Sequence, residues 1–440
     1  MTPRARTALA AVSAANLLQN LLFPILALRT LGASNAADAL FMVFILPGVV
    51  MVLLGNSVLN WSTPRLVRRA DDTSRRVLCW SLLWTLQAGV LLLCFALWLG
   101  AWLVLPYVQP AGGYALAIGV LPLGLLAMLA TVVTAIGQSL FTAESDVLGS
   151  EFRTFIANLI AMAAWFVFDP ATLVACAALF ALRAVLVAAL LLPRLGVPRK
   201  ARLHDADLRD VLRESRVLLL AATYYKSEPF VDRLLFASVP GGAVAAFHLA
   251  QQVLSVVTLM MNRVITAPLV APFAERMHAG DGPGARILLR TALGYMAAVG
   301  IAVWILFVVA GELLVRLLFS GTAYSAEHIA LTAQMLTLLG GFMLAVLFGQ
   351  VLAQVFYCSG ETRRMVVLSV GGYTVGLLLK VLALWQFGVM GLVAASSLSW
   401  LLNVSAFRLV VPGILRRVAA RGAHSAGAAV DPAAARSPGV

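Results

Sequence analysis

TYYKSEPFVDRLLFAS, residues 223–238, lies between two long apolar runs and carries four charged side chains, Lys226, Glu228, Asp232 and Arg233. Whether it is a surface helix or a membrane-spanning one decides the fold. Hydrophobic residues fill 62% of the 440 positions and charged residues only 12%, and the mean hydropathy is +0.95. That balance lies well outside a soluble globular domain and makes the bilayer the solvent. Near the centre of a bilayer each charge costs roughly 2.5 to 3.5 kcal/mol on insertion scales, so the four need partners or a task.

With about 20 apolar residues per span, the sequence reads as an all-α polytopic membrane protein. About twelve helices are expected, near residues 8–28, 37–60, 78–105, 113–141, 148–168, 170–192, 216–238, 242–273, 286–318, 328–357, 365–387 and 389–413. The net charge of +13 could suggest nucleic acid, but the cations sort by loop. Arg65, Arg68, Arg69, Arg75 and Arg76 follow the second span, and Arg153 lies near the loop after the fourth. Arg194, Arg199, Lys200, Arg202, Arg209 and Arg213 follow the sixth, Arg276 and Arg286 the eighth, and Arg363 and Arg364 the tenth. The alternate connections, PYVQPAGG, FDPA, SVPGG and QFGV, carry no Lys or Arg. Positive loops mark the cytoplasmic side, so both termini are expected inside, with no nucleic-acid partner. The apolar stretch at the N-terminus is too long for a signal peptide and lacks a cleavage site. RGAHSAGAAVDPAAARSPGV at the C-terminus has no periodicity and reads as disordered.

The loop RLGVPRKARLHDADLRDVLRES, residues 194–215, divides the spans six and six. The expected organisation is an N-terminal lobe over 1–193, a cytoplasmic loop over 194–215, a C-terminal lobe over 216–413 and a tail over 414–440. LGASNAADALFMVF after the first span and ASVPGGAVAAFHLA after the seventh share a small-residue turn leading to an aromatic. Setting Phe41 against Phe247 brings Pro24 within one position of Pro229, the mark of an internal duplication.

Proline-interrupted helices in corresponding positions of two halves point to a transporter's site. Pro24 is expected to free the carbonyl near Asn20, and Pro229 that near Tyr225. At 100° per residue Lys226 and Arg233 lie about 20° apart, while Glu228 and Asp232 share another sector. Lys226 and Glu228 read as substrate-binding. Arg233, beside Asp232 and near the outer end, reads as a structural cation that pairs with its neighbours, since long cations near helix ends snorkel. Asn16, Gln19, Asn20, Asn158, Arg183, His248, Gln251 and Gln252 are further polar residues within spans, many of them read as interhelical hydrogen bonds. Lys380 stands in the middle of its span with no acid nearby in sequence.

LRTLGASNAADALFMVFILP (28–47), VDRLLFASVPGGAVAAFHLAQQ (231–252) and GQVLAQVFYCSGETRRMVV (349–367) resemble the MurJ family of lipid II flippases. That family sits with O-antigen flippases and MATE drug exporters in one superfamily. The resemblance implies two six-helix lobes around a central cavity, alternating access, and as cargo a polyprenyl-diphosphate saccharide, lipid II or another lipid-linked glycan precursor. The cavity arginines of the family fall near Leu17, Phe23, Met51 and Gln252, and its acid on the eighth span at Ser255; Arg29 and Asp38 are the charges that match. Lys226, Arg263 and Arg183 are then the cations that could substitute. The substrate-binding set so assembled is Lys226, Glu228, Arg29, Asp38, Gln252, Arg263, Asn16 and Gln19. Asp232 matches an acid that some relatives use for sodium, and Lys380 falls where asparagine is common, so the resemblance implies that the two pair, the alternative being that Lys380 snorkels or pairs elsewhere. The cargo needs cations for its phosphates and amides for its sugar.

A cation-coupled drug exporter of the same superfamily should have an acidic, aromatic site. A transport-inactive scaffold is the other reading. Enzyme activity is not expected: Asp71, Asp72, Asp205, Asp207 and Asp210 sit among arginines as solvated pairs, and the five histidines show no HExxH or triad grouping. Cys79, Cys94, Cys176 and Cys358 form no CxxC, so neither metal nor cofactor is expected. The partners expected are the lipid-linked saccharide, membrane lipids and envelope-biosynthesis enzymes.

Overall fold

The computed structural model describes residues 3–54, 60–68, 71–104, 113–144, 146–197, 208–210, 212, 223–236, 239, 241–320, 322 and 324–430, and these contain helices and no strand. The principal helices are α1 (Pro3–Leu31), α2 (Asn35–Leu54), α3 (Asn60–Arg68), α4 (Asp72–Val104), α5 (Gly113–Ala143), α6 (Val147–Phe168) and α7 (Leu173–Leu195). They continue as α8 (Glu228–Phe236), α9 (Ala243–Met261), α10 (Ala267–His278), α11 (Gly282–Phe319), α12 (Ala326–Leu338), α13 (Gly340–Ser359) and α14 (Thr362–Val430). A π-helical segment, Asn262–Thr266, joins α9 to α10.

Ten stretches among the described residues are long and apolar enough to cross a membrane. The last of them, Thr362–Ala420, covers two expected spans, because the chain bends at Gly388, where φ is 63° and ψ is −149°. That conformation is open essentially to glycine alone. Part of the seventh expected span, with Arg69, Arg199, Lys200, Arg202 and Arg213, lies outside the described residues.

By packing, the chain forms two compact units, Met1–Gln252 with Leu313–Thr332, and Val253–Glu312 with Ala333–Val440. The grouping differs from the six-and-six division expected from the central loop, because α8 packs on α2, the start of α9 bonds to Asp38 of α2, and Arg233 of α8 bonds to α9. In unit one α5 packs on α2, α4 and α7, and α6 on α1 and α7. Phe141, Ala157, Val187 and Leu191 form a buried cluster there. Asp146 caps α6 by accepting the Gly149 N–H, and Thr172 caps α7 by accepting that of Ala175, satisfying donors that a helix start leaves free. Cations gather at one end of this unit: Arg194 bridges Glu144 at 2.6 Å, Arg76 bridges Asp72 at 2.8 Å, and Trp80 donates to the Leu195 carbonyl at 3.1 Å. Leu92, Phe95 and Phe166 are exposed, as suits an exterior solvated by lipid.

In unit two α13 packs on α14 and α10. Ser397 donates to the Leu338 carbonyl at 2.6 Å, and Glu361 accepts from Arg364 and Arg417, both at 2.7 Å. The expected disordered tail begins too early, since α14 runs on to Val430. Ile414, Leu415 and Val418 are buried, and the Arg417 bridge holds that turn to the start of the same helix. An alanine-rich sequence with a buried stripe continues a helix without strong periodicity. Residues 431–440 lie outside the described residues.

Candidate functional site

Three polar clusters lie inside unit one. The first joins α1, α6 and α7. Asn16 donates through Nδ2 to the Glu151 carbonyl at 3.0 Å and to Glu151 Oε2 at 2.7 Å. Asn158 Nδ2 lies 3.4 Å from Asn16 Oδ1. Arg183 donates through Nε to Asn158 Oδ1 at 2.8 Å and through Nη2 to Asn20 Oδ1, and its guanidinium lies 4.6 Å from the centre of the Phe23 ring. Phe23 in turn meets Trp165 and Phe180 edge-on. Gln19, on the same face of α1, is 6% exposed and its Oε1 has no hydrogen-bond partner.

The second cluster is a helix cap. Asp38, buried in the first turn of α2, accepts the Gly242 N–H through Oδ2 and the Ala245 N–H through Oδ1, both at 2.7 Å. Those donors belong to the first turn of α9, where the helix leaves N–H groups unsatisfied and its dipole favours a negative charge. Gly242 has φ of 93°, and a Cβ there would meet His328 Nε2 and the Ala33 carbonyl.

The third surrounds Arg233, 1% exposed. It donates to the Pro229 carbonyl at 2.7 Å, to His248 Nδ1 at 2.9 Å and to Gln251 Oε1 at 2.9 Å. A guanidinium only donates, so Nδ1 is the acceptor and the proton of this imidazole sits on Nε2. The imidazole stacks on Phe41 at 4.3 Å.

Asn16 and Gln19 thus sit at the first cluster, together with Asn20, Asn158 and Arg183. Gln252 is half-buried on α9 beside Gln251, and Arg29 is exposed in the last turn of α1. Lys226 and Glu228 are half-buried on either side of Ser227, and the Lys226 ammonium lies 5.5 Å from the centre of the Tyr225 ring. Asp232 is buried in unit one and Lys380 in unit two, and each has a polar or electrostatic partner. The side chain of Arg263, in the π-helical segment, lies outside the described residues.

Arg233 is a structural cation held by its neighbours: three acceptors and the Phe247 ring satisfy it in place. Three expectations are corrected. Pro24 does not break its helix: α1 continues to Leu31, since a proline removes one donor and the turns on either side keep theirs. At Pro229 the interruption falls at Ser227, and the proline stands in the first turn of α8, where its missing N–H is no loss. Asp38 commits both carboxylate oxygens to the cap of α9 rather than to a ligand. That cap spans more than 200 residues of sequence and left no local signal, apart from an acid in a first turn.

The profile of a family described as "Lipid II flippase MurJ" matches residues 28–420. Among solved structures, a lipid II flippase MurJ in an inward closed conformation superposes with a TM-score of 0.77 at 11% identity, covering 94% of this chain and 90% of that one. An inward-facing multidrug resistance MATE family transporter of the MOP superfamily gives 0.73 at 14% identity, with 92% and 95% covered. The eukaryotic MATE transporter AtDTX14 gives 0.59 at 16%, with 95% and 99% covered. At these identities the likeness is one of fold. A search of curated proteins by sequence found no match.

Proposed function

Because the chain belongs to the lipid II flippase MurJ family, we propose that it moves a polyprenyl-diphosphate-linked saccharide from the inner to the outer leaflet of a bacterial cytoplasmic membrane by alternating access. The observation that carries this reading is the extent of the family match, residues 28–420, in a chain with ten stretches among its described residues apolar enough to span a bilayer. The cargo is an anion with a polar sugar and an oily tail. It requires cations for the phosphates, amides for the sugar, and no bond-making chemistry from the protein. Lys226 is assigned to the phosphates, and Asn16, Gln19, Glu228 and Gln252 to the remaining polar surface. Arg29 and Arg263 complete the candidate cations. Outward movement of each net negative charge is favoured by roughly 2.3 kcal/mol per 100 mV of inside-negative potential, so the potential alone can drive the step.

The termini are assigned to the cytoplasm, with envelope-biosynthesis enzymes as partners. The gathering of Arg76 and Arg194 at one end of unit one supports that orientation. Transport without catalysis is the activity assigned.

The fold likeness to a MATE transporter makes a drug exporter the second reading. Mid-helix Arg183, whose hydrogen-bond acceptors on Asn20 and Asn158 are neutral amides, suits an anionic cargo better than a cationic one. The deciding experiment reconstitutes the purified protein in liposomes carrying a lipid-linked diphosphate saccharide and, separately, a cationic dye. Appearance of the sugar on the outer leaflet, scored by an added lectin, is expected. Dye export without sugar flipping would assign the chain to the second reading.

A further inference from the structure

A cation in the middle of a spanning helix has to be compensated, and the first cluster of unit one sets no carboxylate directly against Arg183: its acid, Glu151, bonds Asn16. Arg183 lies ten residues into α7, Leu173–Leu195, which at 1.5 Å per residue puts it roughly 15 Å or more from either end. Snorkelling to an interface from there is a long reach. Among the described residues it forms no ion pair. Its hydrogen-bond acceptors are two neutral amide oxygens, on Asn20 and Asn158, and one face of the guanidinium is covered by Phe23.

A guanidinium has five N–H donors. Nε and one N–H of Nη2 are engaged, which leaves three free, two of them on Nη1. The side chain is half-buried, not sealed. The two amides hold the fork in one orientation: Asn158 is fixed from behind by Asn16, and Asn16 by Glu151. Beside the fork, on the same face of α1, stands Gln19, 6% exposed with an unpartnered Oε1. Successive positions 16, 19, 20 and 23 fall within about 100° of one another around a helix. A positioned fork with free donors, next to a buried amide with unused capacity, is what planar recognition of a phosphate group needs.

We propose that Arg183, oriented by Asn20 and Asn158 and flanked by Gln19, is an anion subsite within unit one that takes a phosphate of the lipid-linked cargo. The assignment rests on the flippase reading above. Arg183 is the binding residue; Asn20 and Asn158 are positioning residues. The amide of Gln19 turns its N–H groups toward a bound oxygen or its Oε1 toward a sugar hydroxyl, and it is satisfied either way. The free source of the same chemistry, inorganic pyrophosphate, lacks the tail that would hold it at this depth in the membrane.

The test uses the full chain in lipid nanodiscs and measures binding of geranylgeranyl diphosphate, inorganic pyrophosphate and geranylgeraniol. Wild-type protein is expected to bind the lipid diphosphate, to bind pyrophosphate far more weakly, and to show little affinity for the alcohol. Arg183→Gln should weaken lipid diphosphate binding at least tenfold, and Arg183→Lys by less. Asn20→Asp is the decisive variant, because it sets a carboxylate against the guanidinium and neutralises it internally. The cluster should then be as stable as before or more so, yet lipid diphosphate affinity should fall at least tenfold.

A merely structural Arg183 predicts the opposite, unchanged binding in Asn20→Asp, and that result overturns the proposal even if Arg183→Gln fails to fold. Equal binding of pyrophosphate and lipid diphosphate overturns the lipid source and leaves a site for soluble anions. Wild-type flipping with undiminished binding in Arg183→Gln and Asn20→Asp removes the subsite alone. Binding that depends on Arg183 in a chain that flips no saccharide removes the flippase reading alone.

Discussion

Asp38 Oδ1 accepts the backbone N–H of Ala245 at 2.7 Å across 207 residues of sequence, and with Oδ2 on Gly242 it closes the first turn of α9. One charged side chain on α2 therefore sets where α9 starts. An N-cap is worth about 1 to 2 kcal/mol, and the helix dipole adds to it for a partly buried carboxylate. Asp38→Ala should lower stability by about 2 kcal/mol, and Asp38→Asn, which keeps one acceptor, by about half of that. Thermal unfolding of the detergent-solubilised protein measures both. An Asp38→Ala midpoint equal to that of the parent would show that water or another group caps α9 equally well.

Gly242 is fixed by the same turn. Its φ of 93° belongs to glycine, and a Cβ would run into His328 and the Ala33 carbonyl. Gly242→Ala should therefore destabilise by more than the roughly 1 kcal/mol of an ordinary left-handed strain, whereas Gly119→Ala, inside α5 with no atom near the added methyl, should be neutral or stabilising. The pair of unfolding midpoints checks the claim, and equal behaviour of the two variants would refute it.

Around Arg233 the expected effect is larger. Removing the guanidinium leaves the Pro229 carbonyl, His248 Nδ1 and Gln251 Oε1 without that donor, and each buried acceptor left unpaired costs about 1 to 3 kcal/mol. Arg233→Met should be severely destabilising, and Arg233→Lys intermediate, because an ammonium cannot span the same fork. His248→Phe keeps the stack on Phe41, so Arg233→Met combined with His248→Phe should recover part of the loss. Unfolding midpoints of the four proteins form the cycle, and strict additivity would deny that the two side chains are coupled.

The spans were legible because a bilayer leaves a chain few choices: apolar runs of about 20 residues must be helices. The clusters inside unit one were legible only as a set of separate polar residues. Asn16, Asn20, Asn158 and Arg183 each stood out in an oily sequence, but Arg183 and Asn20 lie 163 residues apart, and no local pattern fixes how two helices are rotated against each other. The spacing of 16, 19, 20 and 23 on one face of α1 was the available signal. Arg233 was legible as a structural cation but its partners were not, because its acceptors on α9 come 15 and 18 residues later. The helical 414–430 segment was missed for another reason: alanine and glycine weaken the periodicity that sequence reading depends on, while burial of Ile414 and Leu415 does not.

The orientation proposed from the loop charges is tested by labelling. In a background lacking the four native cysteines, single cysteines at Arg75, Arg194 and Arg364 should react only with reagents that reach the cytoplasm. A cysteine at Ala171, in the exposed turn between α6 and α7, should react from outside in intact cells. Labelling of Arg194→Cys from outside would invert the topology and, with it, the direction assigned to transport.

Lys226 is the cation on which the flippase reading places the heaviest demand outside the α1–α6–α7 cluster. It closes the helical turn before Ser227, it is half-buried, and its ammonium sits 5.5 Å from the Tyr225 ring centre. A cation–π contact of that kind is worth about 0.5 to 2 kcal/mol depending on desolvation, while a charge-assisted hydrogen bond is worth about 1.5 to 3 kcal/mol. A phosphate can therefore draw the ammonium off the ring, in competition with the Glu228 carboxylate two residues on, which also attracts it. Lys226→Ala should then slow saccharide flipping in liposomes by about tenfold or more, since 1.4 kcal/mol is a factor of ten. Lys226→Arg should keep most of the rate, because it preserves both the charge and the stacking on Tyr225. Neither replacement should change the unfolding free energy by more than about 0.5 kcal/mol, in keeping with a half-buried side chain. Full flipping by Lys226→Ala would remove Lys226 from the cargo site, and an unfolding midpoint that falls in step with the rate would make it a structural cation instead.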